Sequence, residues 1–241
     1  MHFLVLLGDD ESNATTPGTP EWDAEMAGYM HFDEVAGDAI LAGEALEPTA
    51  TATTVRHGDA GAPLVTSGPY AETTEALGGL YILDVGTLDD AIELVRHLPA
   101  AATGWVAVRP IALWQGPEGD APPAAERYLA LMYGKESPAD VPETPEWDAG
   151  AGEHGRFVES AGDGVVSGAA LHRIDTTTTV RVREGELLVT DGPFSESAEV
   201  IGGYYLLRAP SKEAVIALAA TVPVNPGGAV EVRPVMDVGE G

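Results

Sequence analysis

The chain repeats itself. Thr19-Pro-Glu-Trp-Asp-Ala24 recurs as Thr144-Pro-Glu-Trp-Asp-Ala149, and Ser67-Gly-Pro-Tyr70 recurs as Asp191-Gly-Pro-Phe194. Glu75-Ala-Leu-Gly-Gly-Leu-Tyr-Ile-Leu83 returns as Glu199-Val-Ile-Gly-Gly-Tyr-Tyr-Leu-Leu207, and Val108-Arg-Pro110 as Val232-Arg-Pro234. Matched blocks are 124 or 125 residues apart and keep their order. Chance does not produce four ordered matches at one spacing, so the chain is two homologous copies. They span 1–113 and 126–241, and the Pro- and Gly-rich stretch within 114–125 reads as a linker. Any fold assigned to one copy has to serve the other.

Each copy reads in the same order. Apolar strands open them at Phe3–Leu7 and Tyr128–Tyr133. A helix follows each Thr-Pro-Glu-Trp: Thr caps, Pro suits the first turn, and acids favour the positive end. The helices end at Gly37 and Gly162, where Gly accepts a left-handed cap. Strands are expected at 39–46, 51–57 and 62–66, and again at 164–171, 176–183 and 186–190, with Glu184-Gly185 turning a hairpin. A Gly-Pro loop, a strand (77–85 or 201–209), a helix (88–97 or 212–221) and a last strand (105–112 or 229–236) complete each copy. The order β-α-β-β-β-β-α-β is an α+β, ferredoxin-like sheet with an inserted hairpin. Both helices fall on one face, so the other face needs cover, and the second copy is expected to supply it as an internal pseudo-dimer.

Composition removes whole classes of function. Lys and Arg total 12 against 39 Asp and Glu, a net charge of −27. Phosphate contacts need clustered cations, so nucleic acid is not an expected partner, and neither is an anionic membrane surface. No cysteine is present, which excludes disulfides and thiolate chemistry. No apolar run approaches the 18 or so residues of a membrane span, and the start has no basic region or cleavage site. The expected location is the cytoplasm.

The block Asp191-Gly-Pro-Phe-Ser-Glu-Ser-Ala-Glu199, followed by Gly202-Gly203-Tyr204-Tyr205 and by Glu231-Val-Arg-Pro234, resembles the DGPF branch of the YCII-related family. The resemblance covers nearly the whole chain, twice. It implies a dimeric α+β barrel, with two ferredoxin-like sheets packed face to face and both halves in one chain. Some YCII relatives act on small aromatic or chlorinated molecules through a His–Asp pair. The matched positions here hold Met26 and Ala151 for the His, and Leu98 and Val222 for the Asp, so that pair does not carry over.

Other residues supply the candidate chemistry. Asp191 can accept backbone hydrogen bonds in its turn, whereas the first copy has Ser67, which cannot ionise. Glu72 with Glu75, and Glu196 with Glu199, are carboxylate pairs at a spacing of three, suited to general acid–base work. Arg56 matches Arg181, and Arg109 matches Arg233, all on predicted strands. Arg presents a planar fork for carboxylates. Arg181 and Arg233, with Glu196 or Glu199, are expected to line a cleft in the second copy. Tyr204 follows the double Gly, itself a bulge signal, and could face the same cleft. His154 falls three residues beyond Ala151 on the first helix of its copy. No His spacing signals a metal, no axial haem ligand stands out, and no cofactor is expected. Two readings stay open. One is binding of a small acidic or phenolic molecule in a barrel cleft, with cofactor-independent isomerase or lyase chemistry. The other is a non-catalytic binding or regulatory accessory protein. A monomeric pseudo-dimer or a low-order homo-oligomer fits either.

Overall fold

The computed structural model describes residues 1–57, 62–70, 75–117, 122–194 and 200–238, without the side chains of Glu75 and Ala139. The first copy runs β1 (His2–Asp10), α1 (Pro20–Ala36), β2 (Ile40–Ala45), β3 (Thr53–His57), β4 (Pro63–Ser67), β5 (Glu75–Asp84), α2 (Leu88–Val95), α3 (Pro99–Thr103) and β6 (Trp105–Gln115). The second runs β7 (Arg127–Gly134), α4 (Pro145–Ala161), β8 (Val165–Leu171), β9 (Thr178–Arg183), β10 (Glu186–Asp191), β11 (Val200–Arg208), α5 (Lys212–Ala219) and β12 (Ala229–Pro234).

Local chemistry sets these boundaries. The Thr19 hydroxyl accepts from the Trp22 N–H and Thr144 from the Trp147 N–H, each before a Pro in the first turn. Both helices stop at a Gly with positive φ, 49° at Gly37 and 52° at Gly162. Glu184 and Gly185, at φ 54° and 82°, make the tight turn between β9 and β10. Each double Gly sits at a register break, between Leu7 and Gly8 opposite β5 and between Ile201 and Gly203 opposite β7. The short α3 is an addition to the expected order. Pro99 starts a new helix immediately after α2 because proline is well placed at a first helical position.

The copies do not fold as two separate beads. The chain forms two compact units, and each takes a hairpin from the other copy. Unit 1 comprises Met1–Glu44, Thr73–Ile111 and Ile174–Glu196, and unit 2 comprises Ala45–Glu72, Ala112–Arg173 and Ser197–Gly241. In unit 1 the sheet order is β2-β5-β1-β6-β9-β10, where β9 and β10 come from the second copy. In unit 2 it is β8-β11-β7-β12-β3-β4, where β3 and β4 come from the first. All the registers given for these pairs are antiparallel.

The donated strands enter the cores that receive them. Val180 of β9 packs with Phe3, Val5, Val106 and Val108 against Phe32 of α1 and Val95 of α2. Val55 of β3 packs with Ala130, Leu207, Val230 and Val232 against Phe157 of α4 and Val215 of α5. Fully burying a Val of this kind stabilises by about 1.5–3 kcal/mol. The Arg183 guanidinium then ties the hairpin to unit 1, donating to Ala101 O (2.9 Å), Ala102 O (2.7 Å) and Gly104 O (2.6 Å) at the end of α3. The sheet face turned away from the helices is buried as well. It carries Leu4, Leu6, Leu80 and Ile82 in unit 1, and Leu129, Leu131, Tyr204 and Leu206 in unit 2.

Candidate functional site

That second face holds two homologous clusters, one per unit, each assembled from both copies. Rows of directly paired residues fix the geometry. In unit 2, Tyr204, Leu131, Glu231 and Thr54 form one row across β11, β7, β12 and β3. In unit 1 the same row is Leu80, Leu6, Ala107 and Thr179. The neighbouring row is Tyr133, Ala229 and Arg56 in unit 2. It begins Gly8 and Trp105 in unit 1.

The Gly-Pro turn folds over these rows identically in both units. The Gly192 N–H donates to Thr177 O (2.7 Å), and the Thr179 hydroxyl donates to Gly192 O (2.8 Å). In the other unit Gly68 donates to Ala52 O (2.9 Å), and the Thr54 hydroxyl donates to Gly68 O (3.0 Å). Gly192 and Gly68 adopt φ of 97° and 103°, a region that favours glycine. The turn delivers an aromatic ring. Phe194 stacks on Trp105 (centroids 5.2 Å apart) and Arg181 lies over its face at 4.4 Å. Tyr70 stacks on Tyr133 (4.6 Å) and Arg56 lies over its face at 5.0 Å. A cation on a ring contributes about 0.5–2 kcal/mol, more as water is excluded.

The units differ in how their polar groups are satisfied. In unit 2 the Glu231 carboxylate, 1% exposed, accepts from the Tyr70 N–H (2.8 Å) and from the Arg233 guanidinium, 2% exposed. Burial first, and the Glu231 charge next, raise the Tyr133 pKa well above the ordinary phenol value. In unit 1 Ala107 stands where Glu231 would be, beside Arg109, which is 3% exposed. Arg181 Nε and Trp105 Nε1 are buried and have no hydrogen-bond partner among the described residues. Leaving a buried donor unpaired costs about 1–3 kcal/mol.

A YCII-related domain model matches residues 1–115 and 127–239. The chain belongs to the YCII-related family. Similarity to an uncharacterized protein of Rhizobium meliloti (strain 1021) is 45% identity over 122 residues, covering 48% of this chain and 95% of that one. This YCII-related chain is also similar in structure to one described as a candidate chlorite dismutase. There the TM-score is 0.46 at 8% identity, covering 98% of this chain and 94% of the other.

Within this YCII-related chain, hairpin exchange regroups the residues singled out from the sequence. Arg181 lies in the unit of Arg109, and Arg56 in the unit of Arg233. Tyr204 is buried in the row of Glu231. Asp191 ends β10 exposed, and no hydrogen bond to its carboxylate is present among the described residues. Glu72, Glu196 and Glu199, with the side chain of Glu75, lie outside the described residues. His154 sits on the helix side, where its Nδ1 and the Tyr205 hydroxyl share a 2.9 Å hydrogen bond. Leu98 and Val222, at the family's Asp positions, are buried core. The rings of Trp105, Phe194, Tyr70 and Tyr133 escaped the sequence reading. The signal for them was available as three departures from the repeat: Gly8 against Tyr133, Trp105 against Ala229, and Ala107 against Glu231. No group of three or more potential metal ligands exists among the described residues, and no described helix is long and apolar enough to cross a membrane.

Proposed function

We propose that this protein binds a small organic molecule bearing an acidic or phenolic oxygen, at the Arg181–Phe194–Trp105 cluster of unit 1. The observation that carries the reading is the pair of buried, unpartnered donors there, Arg181 Nε and Trp105 Nε1, beside an aromatic wall. A guanidinium donates to a carboxylate or to a phenolate oxygen, and the stacked rings favour a flat apolar body. Proton transfer on such a ligand would fall to Glu196 or Glu199, which follow Phe194 in the chain; without it the protein is a binder.

The test is titration of the full chain with benzoate and with phenol, read by calorimetry, against Arg181→Met. Met keeps an unbranched apolar stem like that of Arg and removes the donors. Wild type is expected to bind one of the two probes, and the variant to bind it at least about tenfold more weakly with an unchanged circular-dichroism spectrum. Equal affinity in a folded variant would overturn the reading.

A further inference from the structure

The two clusters differ at one position of the shared row, Glu231 in unit 2 and Ala107 in unit 1. Beyond its Cβ a glutamate is a methylene and a carboxylate, which is the skeleton of acetate. Unit 2 carries that fragment covalently; unit 1 lacks it at the same point of the same sheet row. Resting on the reading above, we propose that unit 1 binds a carboxymethyl compound, R–CH2–COO⁻, whose carboxylate takes the place that the Glu231 side chain takes in unit 2.

Three observations put the matching donors around Ala107. First, registers coincide: Ala107 pairs with Leu6 and Thr179 as Glu231 pairs with Leu131 and Thr54. Second, the residue opposite in each case, Thr179 or Thr54, holds the Gly carbonyl two residues before the ring. Gly192 and Gly68 have matching φ, so the Phe194 N–H follows the same turn as the Tyr70 N–H, which donates to Glu231. No hydrogen bond from the Phe194 N–H is present among the described residues. Third, Arg109 follows Ala107 by two residues on the same strand face, as Arg233 follows Glu231, and is as deeply buried. Both arginines make further interactions, and a guanidinium has five donors to distribute. The ligand's R group would lie toward Trp105 and Phe194, the counterparts in place of Tyr133 and Tyr70. Unit 2 is then closed by its own glutamate, and the chain has one site rather than two.

The probes are acetate and phenylacetate, titrated into the full chain with calorimetric stoichiometry and thermal unfolding as readouts. Affinity is bounded by the number of ligand atoms that make contact, so four-atom acetate is expected weak and phenylacetate tighter. Wild type is expected to take one equivalent. Ala107→Glu should supply the internal carboxylate and weaken binding by tenfold or more while raising the unfolding temperature. Glu231→Ala should open a second equivalent; where loss of the Arg233 partner lowers its melting point, acetate should raise that point more than it raises wild type's. If folded Ala107→Glu binds as wild type does while Arg181→Met does not, the reading stands and the carboxymethyl position is wrong. If Ala107→Glu does not fold, Glu231→Ala decides: one equivalent and no extra stabilisation by acetate overturns the inference. A wild-type chain that binds benzoate or phenol but neither acetate nor phenylacetate also overturns it alone. Silence toward all four probes overturns the underlying reading with it.

Discussion

Single residues show how one position serves different physics in the two copies. His154 and Tyr205 share a hydrogen bond against Phe157, inside the helix-side core of unit 2. Their counterparts in the first copy are Tyr29 and Tyr81, where the Tyr81 hydroxyl donates to Asp33 at 3.4 Å. Burial lowers the His154 pKa, only partly offset by the nearby Glu153 charge, and raises that of Tyr205 to about 12. Stability follows by linkage. Above the ordinary histidine value of about 6.5 the ring is neutral in both folded and unfolded chains and adds no slope. Below it the unfolded chain takes up a proton that the folded chain resists, so stability falls as pH drops from about 6.5 toward the lowered folded value. Glutamine at 154 keeps a hydrogen-bonding group and cannot titrate. Denaturant unfolding of wild type and His154→Gln from pH 8 to pH 5 should give parallel curves above about 7 and a steeper loss for wild type below. Curves parallel throughout would mean that His154 is not titrating against a buried environment.

At the scale of elements, the two units build one aromatic wall from opposite strands. Gly8 lies directly across from Trp105, and a Cβ on Gly8 would come within 2.0 Å of the Trp105 ring. In unit 2 the bulky partner is Tyr133 on β7, and Ala229 on β12 is the small one. Overfilling such a site costs about 1–3 kcal/mol, so Gly8→Ala should lower stability by that amount in chemical denaturation. Combining Gly8→Tyr with Trp105→Ala reproduces the unit 2 pair and should recover most of the loss seen for Gly8→Tyr alone, the signature of coupled neighbours. Additive losses would show that the two walls are not interchangeable. Element boundaries were legible in the sequence because they rest on local chemistry: Thr19 and Thr144 as caps, Gly37 and Gly162 as stops, Glu184-Gly185 as a turn. The wall was less legible, because each copy supplies only part of it. Trp105 gains its meaning from Gly8 across the sheet and from Phe194, which the other copy contributes.

For the molecule as a whole, the copy and the compact unit are different objects. Repetition in sequence identified the copies, and the family model matches them. It did not reveal which sheet receives each hairpin. Alternation in β3 and β9 specifies which face is buried, with Val55 and Val180 inward, yet β6 and β12 present homologous edges that either hairpin could join. The observed choice sends β3 and β4 to β12, and β9 and β10 to β6, so neither copy completes its sheet with its own hairpin. A homologue that aligns to about half of this chain over nearly all of its own length shows that one copy is a protein-sized piece. The consequence is testable by cutting the chain in the linker. Fragments 1–117 and 122–241, produced together as separate chains, should purify as a 1:1 complex, because each unit needs strands from both. Its dissociation should coincide with unfolding, since separating the fragments removes Val55 and Val180 from their cores and strips two strands from each sheet. Fragment 1–117 produced alone should associate with a second copy of itself, offering its β3–β4 hairpin to the homologous edge at β6 of its twin. Sedimentation velocity reads both outcomes. Folded, monomeric fragments that ignore one another on mixing would mean that each hairpin can return to its own sheet, and that the exchange does not hold the two copies together.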